Sequence, residues 1–264
     1  MRRTIPFLRS TSLRLGIVAL AGLALIAASR ARAADPNALW HVVHDLCVPA
    51  MKVTGLPGPC SKVDMAGGYA VLKDIRGDTQ LLLIPTDRVT GIEDPKLLEP
   101  GSPNYWQAAW GALPIFETRT GGRPVARGDV ALAINSLYGR TQNQLHIHID
   151  CVRPTVQRIL ADNQSRIGEH WSDLDVPLTG HHYRVRRLMG ADFGTRDPFR
   201  LLADADPGAR ADMGRQTLVA IGMTFADGRP GFILLDDHAG LVPLDRAAGE
   251  ELQDHSCAVL GPHP

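Results

Sequence analysis

The sequence predicts an α+β fold, an antiparallel sheet with flanking helices, and three observations carry that expectation. Residues 144–149, Gln-Leu-His-Ile-His-Ile, alternate polar and apolar, the period-two pattern of a strand buried on one face. Two pairs of apolar runs, 69–74 with 80–85 and 217–225 with 231–236, are joined by turn residues and read as hairpins. Between them lie segments with apolar residues at helical spacing. The order mixes helices with hairpins, unlike the strand–helix alternation of a doubly wound sheet.

The elements follow in order. Arg2, Arg3, Arg9 and Arg14 precede an uncharged apolar run over 15–28, and Ala31-Arg32-Ala33 is a small-x-small site. Residues 1–33 are therefore expected to be a signal peptide or a short N-terminal membrane anchor, since the run falls short of the roughly 20 residues of a span. Asp35-Pro36 opens a helix carrying Leu39, Trp40, Val43, Leu46 and Cys47, expected to stop near Pro49. Gly55, Pro57, Gly58 and Pro59 mark a loop. The first hairpin turns at Arg76-Gly77-Asp78, and 86–103 reads as loop. Tyr105, Trp106, Ala109, Trp110 and Leu113 place core aromatics on a helix over 104–116. Residues 130–134 form a buried strand ending at Asn135, and a tight loop over 136–141 leads to the histidine strand. A helix over 154–161, the second hairpin turned at Asp227-Gly228, and a last helix over 246–254 complete the chain.

Beyond the N-terminal segment, 22 basic residues face 28 acidic ones, a net charge of −6 that excludes a basic nucleic-acid-binding surface. Neither GxxxxGK[ST] nor GxGxxG occurs. The four cysteines contain no Cys-x-x-Cys pair, and in an exported chain an even count reads as two disulfides. The short intervening loop favours Cys47–Cys60, which leaves Cys151–Cys257 to brace the histidine strand from behind.

The alternation places Gln144, His146 and His148 on one face, where two imidazoles on a rigid element suit phosphoryl or nucleotidyl transfer, or a metal. The strand 81–85, the strand 132–135 and the run Gly139-Arg140-Thr141-Gln142-Asn143-Gln144-Leu145-His146-Ile147-His148-Ile149 together resemble the histidine triad superfamily of nucleotide hydrolases and transferases. With Val71-Leu72-Lys73-Asp74, Asn135-Ser136, Cys151 and Arg153-Pro154 added, the chain looks like the bacterial CDP-diacylglycerol diphosphatases over essentially 36–264. Gln144 stands where the triad pattern has its first His, and Asp150 fills its final apolar position.

The resemblance implies a histidine-triad-like hydrolase domain over 34–264, with a core at about 36–161 and a hairpin-and-helix extension at about 162–264. It implies His146 as nucleophile, supported by His148, in hydrolysis of CDP-diacylglycerol to CMP and phosphatidate without a cofactor. Asn135, Thr141, Asn143, Gln144 and the amides of the Gly139 loop are the expected substrate donors, with Lys73 and Arg140 as cations. The expected partners are the lipid substrate and a membrane surface, on the periplasmic side of the inner membrane. Alternatives are another exported nucleotide pyrophosphate hydrolase of this type, or an exported metal protein using His146 and His148. For the latter, Asp150 is expected on the opposite face and no Glu follows His148 closely, so a third ligand is lacking.

Overall fold

A computed structural model describes residues 35–242 and 244–261. The expectation of a signal peptide or anchor over 1–33 lies outside them. Among the described residues no helix is long and apolar enough to cross a membrane.

The chain opens with α1 (Ala38–His41), a π-helical segment (Val42–Cys47) and α2 (Val48–Thr54). The helix thus passes through Pro49, where a stop is expected. Proline leaves one carbonyl without its i+4 donor, and the wider π turn before it absorbs that loss. Three strands follow, β1 (Lys62–Asp64), β2 (Tyr69–Lys73) and β3 (Leu81–Pro85). The expected loop over 86–103 instead carries a 3-10 turn (Pro95–Leu98) and buries Val89, Ile92 and Leu97. The predicted helix over 104–116 is two, α3 (Tyr105–Trp110), capped by Asn104, and α4 (Leu113–Glu117), separated at Gly111-Ala112. Then come β4 (Val130–Ile134), β5 (Ile147–Cys151) and α5 (Pro154–Asn163). The remainder contains β6 (Ser172–Asp173), β7 (Arg184–Met189), α6 (Pro198–Ala203), α7 (Pro207–Ala211), β8 (Gln216–Thr224) and β9 (Pro230–His238). A small ribbon, β10 (Gly240–Leu241) with β11 (Leu244–Asp245), precedes a 3-10 turn at Gly249–Leu252.

The expected last helix over 246–254 is reduced to that turn. Ala247 adopts a left-handed backbone, and the Gly249 N–H donates to Thr217 Oγ1. A Cβ at Gly249 would sit 2.6 Å from Val219 Cγ2. The segment is pressed flat on the sheet, leaving no room for a helix.

Nine strands form one antiparallel sheet in the order β1-β2-β3-β5-β4-β8-β9-β7-β6. One face is covered by α3, α4 and α6, with Trp106, Phe116 and Phe199 fully buried against Leu83, Leu132, Ile147, Ile149 and Leu234. A fully buried side chain of this size contributes about 1.5–3 kcal/mol. The other face carries two separate apolar clusters. Val43, Cys47 and Val48 of the first helix lie on Ala70, Leu82 and Ile84. Val156 and Leu160 of α5, with Leu252, lie on Ala131, Ala133, Val219 and Ile233. Between the two clusters runs β5, whose residues on this face are polar.

Two disulfides join Cys47 to Cys60 and Cys151 to Cys257, with Cα–Cα distances of 5.8 and 5.1 Å. Cys151 shares the core of Ile147 and Ile149, behind the polar face.

Candidate active site

The polar line on β5 is His146, His148 and Asp150, all buried, although an exposed face is expected from the alternation. Asp150 is two residues beyond His148 and so shares its face, contrary to the expectation that it points away. The two imidazoles meet edge to face at 4.8 Å between centroids. Across the ladder Ala133 pairs with His148 and Ala131 with Asp150. These small residues leave the volume that the imidazoles occupy.

The strand begins only at Ile147, because the preceding residues bond to the 85–89 segment. Leu145 N donates to Val89 O, and Gln144 Nε2 donates to the carbonyls of Pro85 and Asp87. The Gln144 side chain is fully buried, its amide nitrogen spent on these two carbonyls. Its backbone carbonyl, however, accepts from His146 Nδ1 at 2.7 Å. A carbonyl only accepts, so Nδ1 carries the proton and the Nε2 lone pair is left for chemistry. Burial lowers the His146 pKa below 6.5, outweighing the carbonyl that raises it, and keeps the ring neutral.

Burial first, and then the neighbouring His146, push His148 down to about 3. Gln80 Nε2 lies 3.2 Å from its Nδ1, and its Nε2 is 3.5 Å from Glu250 Oε2. With Gln80 donating, the His148 proton sits on Nε2, facing that carboxylate. Glu250 is held on both sides: Asn135 Nδ2 donates to Oε2 and Arg76 to Oε1. Burial raises its pKa, but His148, Asn135 and Arg76 together bring it below the usual carboxylate value. His255 joins the group, its Nδ1 2.7 Å from Asp150 Oδ2 and its Nε2 3.7 Å from Glu250 Oε1. Asp150 also accepts from Thr79 Oγ1.

The expected substrate donors are placed unevenly. Asn135 reaches the site, but its amide is committed to Glu250, whose backbone N–H donates back to Asn135 Oδ1. Arg140 forms a two-pronged ion pair with Glu93, and its side chain is nearly buried. Lys73 Nζ is drawn to the carbonyls of Asp74, Arg76 and Gly77. The Gly139 and Arg140 amides donate to Ser136. Thr141 and Asn143 are exposed, and the Asn143 N–H donates to Pro36 O. Glu250, His255, Arg76 and Gln80 arrive from segments that no local pattern ties to the histidines.

A cavity and two groups of potential metal ligands complete the polar clusters described. A cavity of about 640 Å³ is lined by Tyr183, Arg184, Asp206, Asp236 and Asp237. Among the described residues, three potential metal ligands gather at His181, Asp237 and Asp245, and at Asp150 with the two disulfide-bonded cysteines.

The site thus combines a histidine pair, one ring aimed by a carbonyl, with a partly buried carboxylate, Glu250. Comparison with known proteins decides its family. A family model described as CDP-diacylglycerol pyrophosphatase matches residues 34–261. The chain belongs to the CDP-diacylglycerol pyrophosphatase family. A CDP-diacylglycerol pyrophosphatase from Yersinia pestis is 43% identical over 258 residues, 97% of this chain and 98% of the relative's own length. For a CDP-diacylglycerol pyrophosphatase, the neutral and aimed His146 is the side chain whose geometry suits attack on phosphorus.

Proposed function

We propose that this chain hydrolyses the pyrophosphate of CDP-diacylglycerol through a cytidylyl-histidine intermediate, with His146 as nucleophile. Family membership supports the overall reaction, release of CMP and phosphatidate. The observation that carries the histidine route is the 2.7 Å contact of His146 Nδ1 with Gln144 O, which frees Nε2. That Nε2 attacks the cytidylyl phosphorus. A P–N bond forms, the bond to the bridging oxygen breaks, and phosphatidate leaves with the electron pair. Water then attacks the same phosphorus, the P–N bond breaks, and His146 recovers its lone pair.

The proton from that water needs an acceptor, and the ionised Glu250, 3.5 Å from His148, supplies one. His148, with Thr141, is assigned to the phosphates. Asn135 acts through Glu250. We place this chemistry with the histidine triad superfamily, Gln144 keeping the carbonyl that orients the nucleophile while its side chain fixes the loop. Two disulfides suit an oxidising compartment. We assign the enzyme to the periplasmic side of the inner membrane, with residues 1–33 as signal or anchor.

The test is a short incubation with substrate labelled in the cytidylyl phosphate, followed by alkaline denaturation and peptide mapping. An acid-labile label on His146 is expected. A label on His148, or single-turnover hydrolysis with no covalent label, overturns the route.

A further inference from the structure

Among the described residues none covers the apolar side chains at the end of the β10–β11 ribbon. Leu241 is 84% exposed, Val242 95% and Leu244 70%. Isolated exposed apolar residues need no explanation, but three within four positions at a hairpin tip do. At the foot of the ribbon, where Ser136 bonds to the carbonyls of Arg246 and Ala247, the loop after Asn135 leaves Leu137 and Tyr138 43% and 57% exposed.

The sheet puts both tips at one end, where the nucleophile lies. β4 ends beside the start of β8, and β8 starts beside the end of β9, from which the ribbon springs. His146 enters β5 at this same end, since β5 runs antiparallel to β4. Backbone hydrogen bonds anchor the foot of each segment on the sheet. Ser136 N donates to Ala247 O, Leu137 N to Gly214 O, and Ala239 N to Arg215 O. Six positions after Leu244 comes Glu250 of the site. Asp245, at the foot of the ribbon, turns its charge inward: Oδ1 accepts from Ala247 N and Oδ2 lies 3.7 Å from His181.

We propose that Leu241, Val242 and Leu244 insert into the bilayer that holds the substrate, with Leu137 and Tyr138 at the same end of the sheet, and set the mouth of the active site against the lipid headgroups. This rests on the reading that the substrate is a diacylglycerol nucleotide. Its acyl chains remain in the membrane while its pyrophosphate stands in the headgroup layer, so the enzyme must bring His146 to that layer. An apolar tip next to an amphipathic Tyr and an exposed Arg246 has the composition of an interfacial anchor.

The test compares the full chain with its Leu241→Ser/Val242→Ser/Leu244→Ser variant on two substrates. One is CDP-diacylglycerol in phosphatidylethanolamine–phosphatidylglycerol vesicles, the other a water-soluble short-chain analogue. The variant is expected to raise the vesicle KM about tenfold or more, with kcat and all kinetics on the soluble analogue unchanged. Equal losses on both substrates, or an unaltered vesicle KM, overturn the proposal. In parallel, Val242→Trp should gain fluorescence quenched by lipids brominated along the acyl chain; absence of quenching also overturns it. A wild-type enzyme that cleaves neither substrate overturns the proposed function instead, and the Val242→Trp quenching still decides the hairpin.

Discussion

Asn135 and Glu250 grip each other twice, side-chain amide to carboxylate and backbone N–H to amide oxygen, each at 3.1 Å. Asn135 ends β4 and Glu250 lies in the turn pressed on that strand, so the pair fixes the carboxylate over His148. The amide therefore acts through Glu250.

Asn135→Ala and Glu250→Gln are each expected to slow turnover, and the two together to slow it by less than the product. A double-mutant cycle on kcat should show coupling of about 1 kcal/mol or more. Additive losses would mean that Asn135 touches substrate independently.

His146→Ala is expected to lower kcat by roughly 10³-fold or more while leaving the melting temperature near that of wild type. Stopped assays with labelled substrate, alongside circular dichroism, measure both. Activity within tenfold of wild type places the nucleophile elsewhere.

The pH dependence follows from two histidines shifted in opposite directions. Burial holds His146 below its ordinary 6.5, so the acid limb of kcat/KM is expected to have its midpoint below pH 6.5. His255 is raised, chiefly by its bond to Asp150. Its contribution to stability is full below pH 6.5 and is lost as pH rises through its higher folded value. Denaturant melts of wild type and His255→Asn at several pH values should converge as pH increases; a gap that widens contradicts the assignment.

Arg140→Ala should act on stability and spare KM. It leaves the half-buried Glu93 carboxylate without the guanidinium that holds its pKa down against burial. The expected loss is about 2–3 kcal/mol, below the figure for a fully buried pair because Glu93 keeps some solvent. A large rise in KM with unchanged stability would return Arg140 to the substrate.

Removing either disulfide typically costs about 2–4 kcal/mol, but the two should differ in activity. Cys47–Cys60 ties the first helix to β1, away from the histidines, whereas Cys151–Cys257 ties β5 to the segment bearing Glu250 and His255. Paired Cys→Ser variants, assayed well below their melting temperatures, should show loss of turnover mainly for the second bridge.

Much of this fold is written locally. Both hairpins, the strand at 130–134 and the helix beginning at Pro154 appear from period, turn residues and proline placement, and the cysteine pairs follow from loop length. Asp150 was misread: alternation assigns it to the face of His148, not to the opposite one. The small Ala131 and Ala133, alternating with larger residues, were a further sign of space beside the histidines. What local pattern does not carry is the partner set. Glu250 and His255 reach β5 through the sheet packing and the Val152–Gln253 bridge, not through any spacing. Arg140 and Lys73 looked available because a sequence does not display Glu93 or three converging carbonyls around them.

Asn135 and Glu250 of the site lie 115 positions apart. A chain emerging from its N-terminus acquires its nucleophile long before the carboxylate and the last cysteine that complete the site. Under the proposed mechanism a chain stopped short of Glu250 keeps a histidine pair with no carboxylate to take the proton of the attacking water.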